Sequence, residues 1–371
     1  MRTKHLRKTA AWPLVWIYAV LIFYASLYPF ENWRFQGIAP WLYLTQGLSR
    51  YWTWFDVLSN VLGYSPFGFL LALALHRTRR HWPAVALASS AAALLSLGME
   101  SLQMFLPARV PSNLDAALNI LGAFLGAVTA RVMERVGLIA RWSRFRERWF
   151  VPDASGALAL LAVWPLALLF PAPVTFGLGQ VLERVELALA NLLEGSPMLD
   201  WLPLREVELQ PLLPVSEMLS VAMGLLLPCL LAYGVLRQWR QRLIAAVLVV
   251  FLGLMASALS AALTYGPTHV WDWVSPIVLM GLLLAIVAMA LLSFSSERVC
   301  WVLALVALVW QLSLLNNASA DAYFALTLQT WEQGRFIRFH GLSQWLGWLW
   351  PYALLLYLIN RLSLPSPTNE R

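Results

Sequence analysis

Apolar residues gather into ten stretches, at about 11–29, 55–75, 83–106, 114–133, 155–171, 217–236, 243–264, 273–292, 299–315 and 345–360. Most approach the ~20 apolar residues that a helix needs to cross a hydrocarbon core. The pattern predicts an all-α, polytopic integral membrane protein with about ten transmembrane helices. Two breaks between stretches are long, near 172–216 and 316–344. In the first, Val181, Leu182, Val185, Ala188, Leu189, Leu192 and Leu193 follow a helical stripe, while Glu183, Glu186 and Glu194 lie off it. That spacing predicts an amphipathic helix on the membrane surface.

Composition agrees. Of 371 residues 60% are hydrophobic and 12% charged, with a mean hydropathy of +0.67. A soluble domain has no use for so much apolar surface, whereas a multi-span protein does. The net charge of +7 comes from basic clusters dispersed between apolar runs, a membrane-topology signal and not a nucleic-acid footprint. An even number of spans puts both termini on one side. Placing both in the cytoplasm leaves 19 of the 26 Lys and Arg residues inside. The positive-inside rule then favours an N-in, C-in orientation. The first apolar run follows Arg2, Lys4, Arg7 and Lys8 but has no clear small-residue cleavage site, and so reads as a retained anchor. Many Trp residues, among them Trp12, Trp41, Trp52, Trp54, Trp271, Trp273, Trp345 and Trp348, fall near span ends as aromatic belts do. Cys229 and Cys300 sit in apolar runs without ligand-like spacing.

One short pattern occurs twice. Arg50, Thr53, Asp56, Asn60 and Gly63 recur as Arg109, Ser112, Asp115, Asn119 and Gly122, at an offset of 59 residues. So many matching positions in so short a frame indicate an internal repeat. Thr53-x-x-Asp56 and Ser112-x-x-Asp115 have the form of capping boxes at helix starts. Asp, Asn at i+4 and Gly at i+7 then share one helix face, and Gly there admits a close neighbour. The intervening run carries Glu100 and Gln103 on one face. With Asn60 and Asn119 each ~10 Å below their caps, and Glu100 about as far back from Pro107, three helices are expected to hold polar groups at a common depth. Two Asp residues that cap helices and two Asn residues that glue them are ordinary. Glu100 is not, because a carboxylate inside a span is costly and marks function. Pro66 lies within the second span and predicts a kink, either as an ordinary transmembrane Pro or as one that opens a pocket above it.

Three regions follow: residues 12–135 as a four-helix membrane domain holding the repeat at 50–63 and 109–122, a cytoplasmic basic linker at 136–153, and a six-span domain at 154–361. The basic run from Arg131 to Arg148 reads as a topology anchor that also suits an anionic leaflet. With this orientation Asp56, Asn60, Glu100, Gln103, Arg109, Asp115 and Asn119 all lie in the outer half of the membrane. No phosphate-binding Gly loop, His-Glu-x-x-His or nucleophile elbow occurs in the chain.

These residues resemble the VanZ-like family. The resemblance rests on Asp56-x3-Asn60-x3-Tyr64-x-Pro66-x-Gly68, Glu100-x2-Gln103, Arg109, Asp115-x3-Asn119-x2-Gly122-x3-Gly126 and Ser26-Leu-Tyr28-Pro29-Phe30, over about residues 12–135. It implies an integral membrane protein, in a bacterial cytoplasmic membrane, of a family tied to low-level teicoplanin resistance and without an assigned reaction. The polar signature carries over as Asp56, Asn60, Glu100, Gln103, Arg109, Asp115 and Asn119.

The resulting expectation is an outer-leaflet site for a cell-envelope precursor or lipid-linked glycan. In it Asp56, Glu100 and Asp115 serve as oxygen ligands or acid–base groups. Arg50 and Arg109 hold phosphate or carboxylate, beside Asn60, Gln103 and Asn119. Thr53, Ser112, Gly63, Pro66 and Gly122 shape the site. Three acids against two Arg residues suit a cation, or a divalent ion bridging to a lipid phosphate. A membrane transferase or hydrolase using Glu100 as acid or base is a second reading, ranked lower because no nucleophile stands out. Transport of a lipid or small solute is a third, set back by the lack of a comparable acid in the inner half, and a purely structural lock between helices is a fourth. Membrane lipids are the partners expected on every reading.

Overall fold

The computed structural model describes residues 11–28, 30, 32–45, 47, 52–76, 82–198, 212–318 and 337–363. Arg50, the basic residues at 2–8 and 77–80, and the acids at 200, 206 and 208 lie outside the described residues. Among the described residues helices account for nearly all regular structure, and Phe150 and Leu236 form an isolated antiparallel bridge. The protein is all-α and polytopic. A helix lies within each of the ten apolar stretches. Among the described residues six helices are long and apolar enough to cross a membrane: Asp56–His76, Pro83–Gln103, Asn113–Arg135, Pro214–Tyr233, Trp239–Tyr265 and Glu297–Asn316. Leu14–Leu27, Ser155–Ala167 and Pro276–Leu292 are shorter apolar helices.

The chain divides into two compact units, Met1–Phe145 and Arg146–Arg371. In the first, α1 (Ala11–Leu27), α2 (Trp54–His76), α3 (Trp82–Gln103) and α4 (Asn113–Arg135) form an up-and-down bundle. Helices α2 and α4 run parallel with their backbones touching. A Cβ at Gly68, Gly122 or Gly126 would overlap the backbone of Ala123, Val61 or Ser65 respectively. Buried Ala123 and Ala127 on α4, and Ala88 and Ala92 on α3, add further small-residue surface to the bundle. Between lipid-solvated helices such close approach, not a hydrophobic driving force, supplies the attraction. Helix α5 (Leu138–Trp149) fills most of the stretch expected as a basic linker.

The second unit packs α8 (Pro214–Tyr233) at its centre, against α9 (Trp239–Tyr265), α10 (Pro276–Leu292) and α11 (Glu297–Asn316). Helix α12 (Ile337–Ser363) lies against α6 (Ser155–Ala167) and α11, and α7 (Leu182–Leu193) is the amphipathic helix. Its apolar side chains Val185, Leu189 and Leu192 are exposed, as a surface helix requires. The buried guanidinium of Arg242 donates to the carbonyls of Ser293 (3.2 Å) and Ser295, just past the end of α10, where the helix dipole is negative.

One expected span differs. The fifth apolar stretch is helical only to Ala167, and residues 168–181 are irregular although largely buried. Non-helical backbone survives among apolar helices only if its polar groups find partners. Asn316 supplies several of them. Its Oδ1 accepts the amides of Val181 and Leu182, both at 3.0 Å, and its Nδ2 donates to the Gly179 carbonyl at 3.1 Å. Tyr352 donates to the same carbonyl at 3.1 Å, and the Gly179 amide donates to the Gly347 carbonyl at 3.0 Å.

Candidate functional site

The polar residues of the first unit meet at the end of the bundle where α2 and α4 begin and α3 ends. Thr53 and Asp56 close a reciprocal box at the start of α2. The Thr53 amide and hydroxyl donate to Asp56 Oδ2 at 3.1 and 2.8 Å, and the Asp56 amide donates to Thr53 Oγ1 at 3.2 Å. The start of α4 is built differently. Ser112 Oγ accepts the amides of Leu114 and Asp115 at 3.2 and 3.4 Å. The Ser112 amide does not go to Asp115; it donates to Glu100 Oε2 at 2.9 Å. Asp115 is thereby released to face α2, where its Oδ1 accepts Asn60 Nδ2 at 2.8 Å.

Glu100 is 4% exposed and Asn119 5% exposed. Asn119 Nδ2 donates to Ser96 Oγ at 3.1 Å, one turn from Glu100 along α3. Asn119 Oδ1 is buried without a hydrogen-bond partner among the described residues, and the buried Tyr64 hydroxyl has only poorly aligned contacts to the hydroxyls of Ser96 and Ser26. Tyr64 stands near Ser96, Ser26 and Glu100. Such orphans are uncommon in folded proteins and call for an explanation at each occurrence.

The remaining signature residues tie α1 to the rim. Arg109 donates from Nε (3.0 Å) and Nη2 (2.6 Å) to the Tyr28 carbonyl, and from Nη2 to that of Ala25 at 3.2 Å. A cation thus sits on the carbonyl end of α1, where the dipole favours it. Gln103 donates to the Ser26 carbonyl at 3.1 Å, and Tyr18 to the Gly63 carbonyl at 2.9 Å. The connection before α2 folds over the end of α3, with buried Tyr43 donating to the Leu97 carbonyl at 3.2 Å.

Several expectations change. The polar groups are staggered, not at one depth. Helix α3 stops at Gln103, and residues 104–112 turn back on it through Leu106 N to Gln103 O (2.9 Å) and Arg109 N to Leu106 O (2.9 Å). Glu100 is therefore level with the cap of α4, while Asn119 lies level with Ser96, a turn deeper. Asp56, Glu100 and Asp115 do not gather as a joint ligand set. Among the described residues no group of three or more His, Cys, Asp or Glu is placed to hold a metal. Asp56 folds back onto its own cap instead. Gly63 does not receive a neighbouring helix, for nothing lies within 4 Å of where its Cβ would stand. Pro66 lies inside α2, which continues through it. Arg50 lies outside the described residues, so its part in holding an anion has no geometry here. Ser96, Tyr18 and Tyr43 were not singled out from the sequence. Ser96 was findable, since it lies at i−4 from Glu100 and so on the same face.

The other end of this bundle holds a separate ionic group, where His76 Nε2 pairs with Glu134 and Arg131 Nη1 lies 3.2 Å from Glu134 Oε2.

Two parallel glycine-packed helices entered from capped ends, an acid on the helix between them, and an Arg fastening the first helix make up one four-helix body. Residues 12–134 match the VanZ/LLP1 family. No curated protein and no solved structure matches the chain. The VanZ-like segment thus ends inside α4, and α5 to α12 follow beyond the match. Within it, the signature residues divide by role: Gly68, Gly122 and Gly126 make the α2–α4 contact, Arg109 and Gln103 hold α1, and Glu100, Asp115, Asn60 and Asn119 form the polar interior.

Proposed function

We propose that the VanZ-like bundle uses its polar end as an outer-leaflet binding site for the headgroup of a cell-envelope precursor or lipid-linked glycan. The supporting observation is unused hydrogen-bonding capacity in an apolar setting: the buried Asn119 Oδ1 has no partner among the described residues, and the buried Tyr64 hydroxyl, only loosely held by Ser96 and Ser26, stands near the Glu100 carboxylate. A buried polar atom without a partner costs about 1–3 kcal/mol, so a ligand or water that supplies donors recovers that cost. Hydroxyl and amide groups of a glycan headgroup are such donors. In the N-in orientation that the basic clusters favour, this end faces outward from a bacterial cytoplasmic membrane. The family's association with teicoplanin supplies the phenotype to score.

A structural lock is the competing reading, and the Asn60–Asp115 bond and the Arg109 cap favour it. One pair of substitutions separates the two. Glu100→Gln keeps an acceptor for the Ser112 amide but removes the charge; Asn119→Leu removes the orphan acceptor. A ligand site predicts folded membrane abundance near wild type in Glu100→Gln, with the change in teicoplanin susceptibility conferred by the wild-type chain abolished. Susceptibility that simply tracks folded abundance across both variants makes the polar set a lock and rejects the site.

A further inference from the structure

The second unit contains a cavity of about 250 Å³ that no part of the VanZ-like match reaches. It opens where α6 gives way to the buried irregular segment and where α9 nears its end. One wall is the segment itself, including Thr175 and Phe176; another is α9, with Ser257, Ser260 and Thr264; Trp273 closes a side. Phe176 and Trp273 meet edge to face, with ring centroids 6.1 Å apart.

The wall is strained and held from behind. Phe176 has φ +61°, a left-handed conformation that a bulky residue rarely adopts. Its carbonyl accepts Gln311 Nε2 at 3.5 Å, and the same amide donates to the Ser220 carbonyl at 3.3 Å. A Cβ at Gly224 would run into that Phe176 carbonyl, so α8 must carry glycine there. Backbone kept in such a state by its surroundings is found at functional sites more often than elsewhere.

The chemistry of the lining is selective. No Asp, Glu, Lys, Arg or His lines the cavity among the described residues. An ion entering it would lose hydration without a countercharge. Two of the lining hydroxyls are already committed as donors. Ser260 Oγ donates to the Leu169 carbonyl at 2.9 Å, and Thr264 Oγ1 to the Ser260 carbonyl at 2.7 Å. Each oxygen keeps only its lone pairs for a ligand. Ser260 and Thr264 thus offer acceptors to a ligand that brings O–H donors, beside the hydroxyl-bearing Thr175, Ser257 and Tyr265, and the lack of a countercharge disfavours phosphate and carboxylate. Phe170, Phe176, Tyr265 and Trp273 contribute rings to the apolar part, beside aliphatic Leu168, Pro171 and Pro173, and such a mixed apolar wall suits the C–H surface of a saturated ring. The volume is just below the ~300–1,000 Å³ usual for ligand pockets, room for a single ring.

We infer that this cavity is a binding site for one neutral sugar ring, free or carried by a lipid, separate from the polar end of the VanZ-like bundle. It does not depend on the function proposed for that bundle. The test is saturation-transfer NMR on the full chain in phosphatidylcholine nanodiscs, with methyl glucoside in the buffer or dodecyl glucoside in the bilayer as probe. Ser257→Trp fills the cavity, and Thr264→Val removes one acceptor at constant shape. Transfer to ring protons of at least one probe is expected, abolished by Ser257→Trp and weakened roughly 2- to 10-fold in affinity by Thr264→Val. Only transfer lost in Ser257→Trp counts as site-bound. Loss confined to dodecyl glucoside assigns a lipid-borne sugar, and loss with methyl glucoside assigns a free one. Should Ser257→Trp fail to fold, Thr264→Val carries the test alone. Transfer unchanged in both variants, no transfer to either probe, or equal transfer to glucose 1-phosphate overturns the assignment.

Discussion

The two copies of the repeat begin with the same residue types and end in different bonds. In the first, Asp56 closes the box on Thr53, and Asn60 is left to reach across to Asp115. In the second, Glu100 takes the Ser112 amide, Asp115 turns to Asn60, and Asn119 turns to Ser96. Gly122 rests on the Val61 backbone, whereas Gly63 faces open space. Helix α3 explains the part of this involving Glu100 and Ser96. Its polar face lies beside the second copy, so the competition for that copy's donors has an extra entrant. Identical local capping propensity is overridden by one neighbouring carboxylate. The general lesson is that a capping box is a default, kept only until a stronger acceptor arrives.

The contrast can be broken most forcefully at the two glycines. Gly122→Ala drives a methyl into backbone, which cannot rotate away, and should destabilise the bundle by about 1–3 kcal/mol or more. Gly63→Ala has room and should be neutral or gain about 0.5–1 kcal/mol from helix propensity. Thermal unfolding of the purified chain reads both, and equal losses at the two positions would refute the asymmetry. Next come the two carboxylates. Glu100→Ala strands the Ser112 amide and should cost about 1.5–3 kcal/mol. Asp56→Ala leaves Thr53 still capping and should cost about 1 kcal/mol or less. Denaturant titration of folded helix content reports the order, and a larger loss at Asp56 contradicts it. The smallest effect is the sharpest. A double-mutant cycle on Asn60 and Asp115 should return a coupling of about 0.6–1.7 kcal/mol, while the counterpart cycle on Asn119 and Asp56 returns about zero. Coupling in both cycles would restore the symmetry that the hydrogen bonds deny.

Much of this was legible in the residues. Apolar run length located every helix from α1 to α4, because a span must satisfy its own backbone and only one regular structure does so. Offset repetition identified α2 and α4 as related helices, and Gly68, Gly122 and Gly126 marked where they touch. The amphipathic stripe at 181–193 gave α7 nearly to the residue. Less legible was the end of the fifth apolar stretch. Leu168 to Phe170 read as apolar as the helix before them, yet the chain leaves the helix there. Partners more than a hundred residues away, Asn316 and Tyr352, make that departure tolerable. The candidate site was legible as a set of residues and not as a geometry. Arg109 read as an anion holder, but its guanidinium is engaged by the carbonyls of Ala25 and Tyr28.

By itself, the sequence determined that this is a many-times-spanning helical protein with a VanZ-like first third, and which polar residues that third keeps. Those are consequences of hydropathy, period and repetition, all of which act over a few turns of chain. Only the tertiary structure decided which donor meets which acceptor, that Asp56 folds onto Thr53 while Asp115 takes Asn60, and that a hydroxyl-lined cavity exists beyond the bundle. A polar side chain among apolar helices takes whichever partner packing brings within about 3 Å, and local spacing carries no record of that choice.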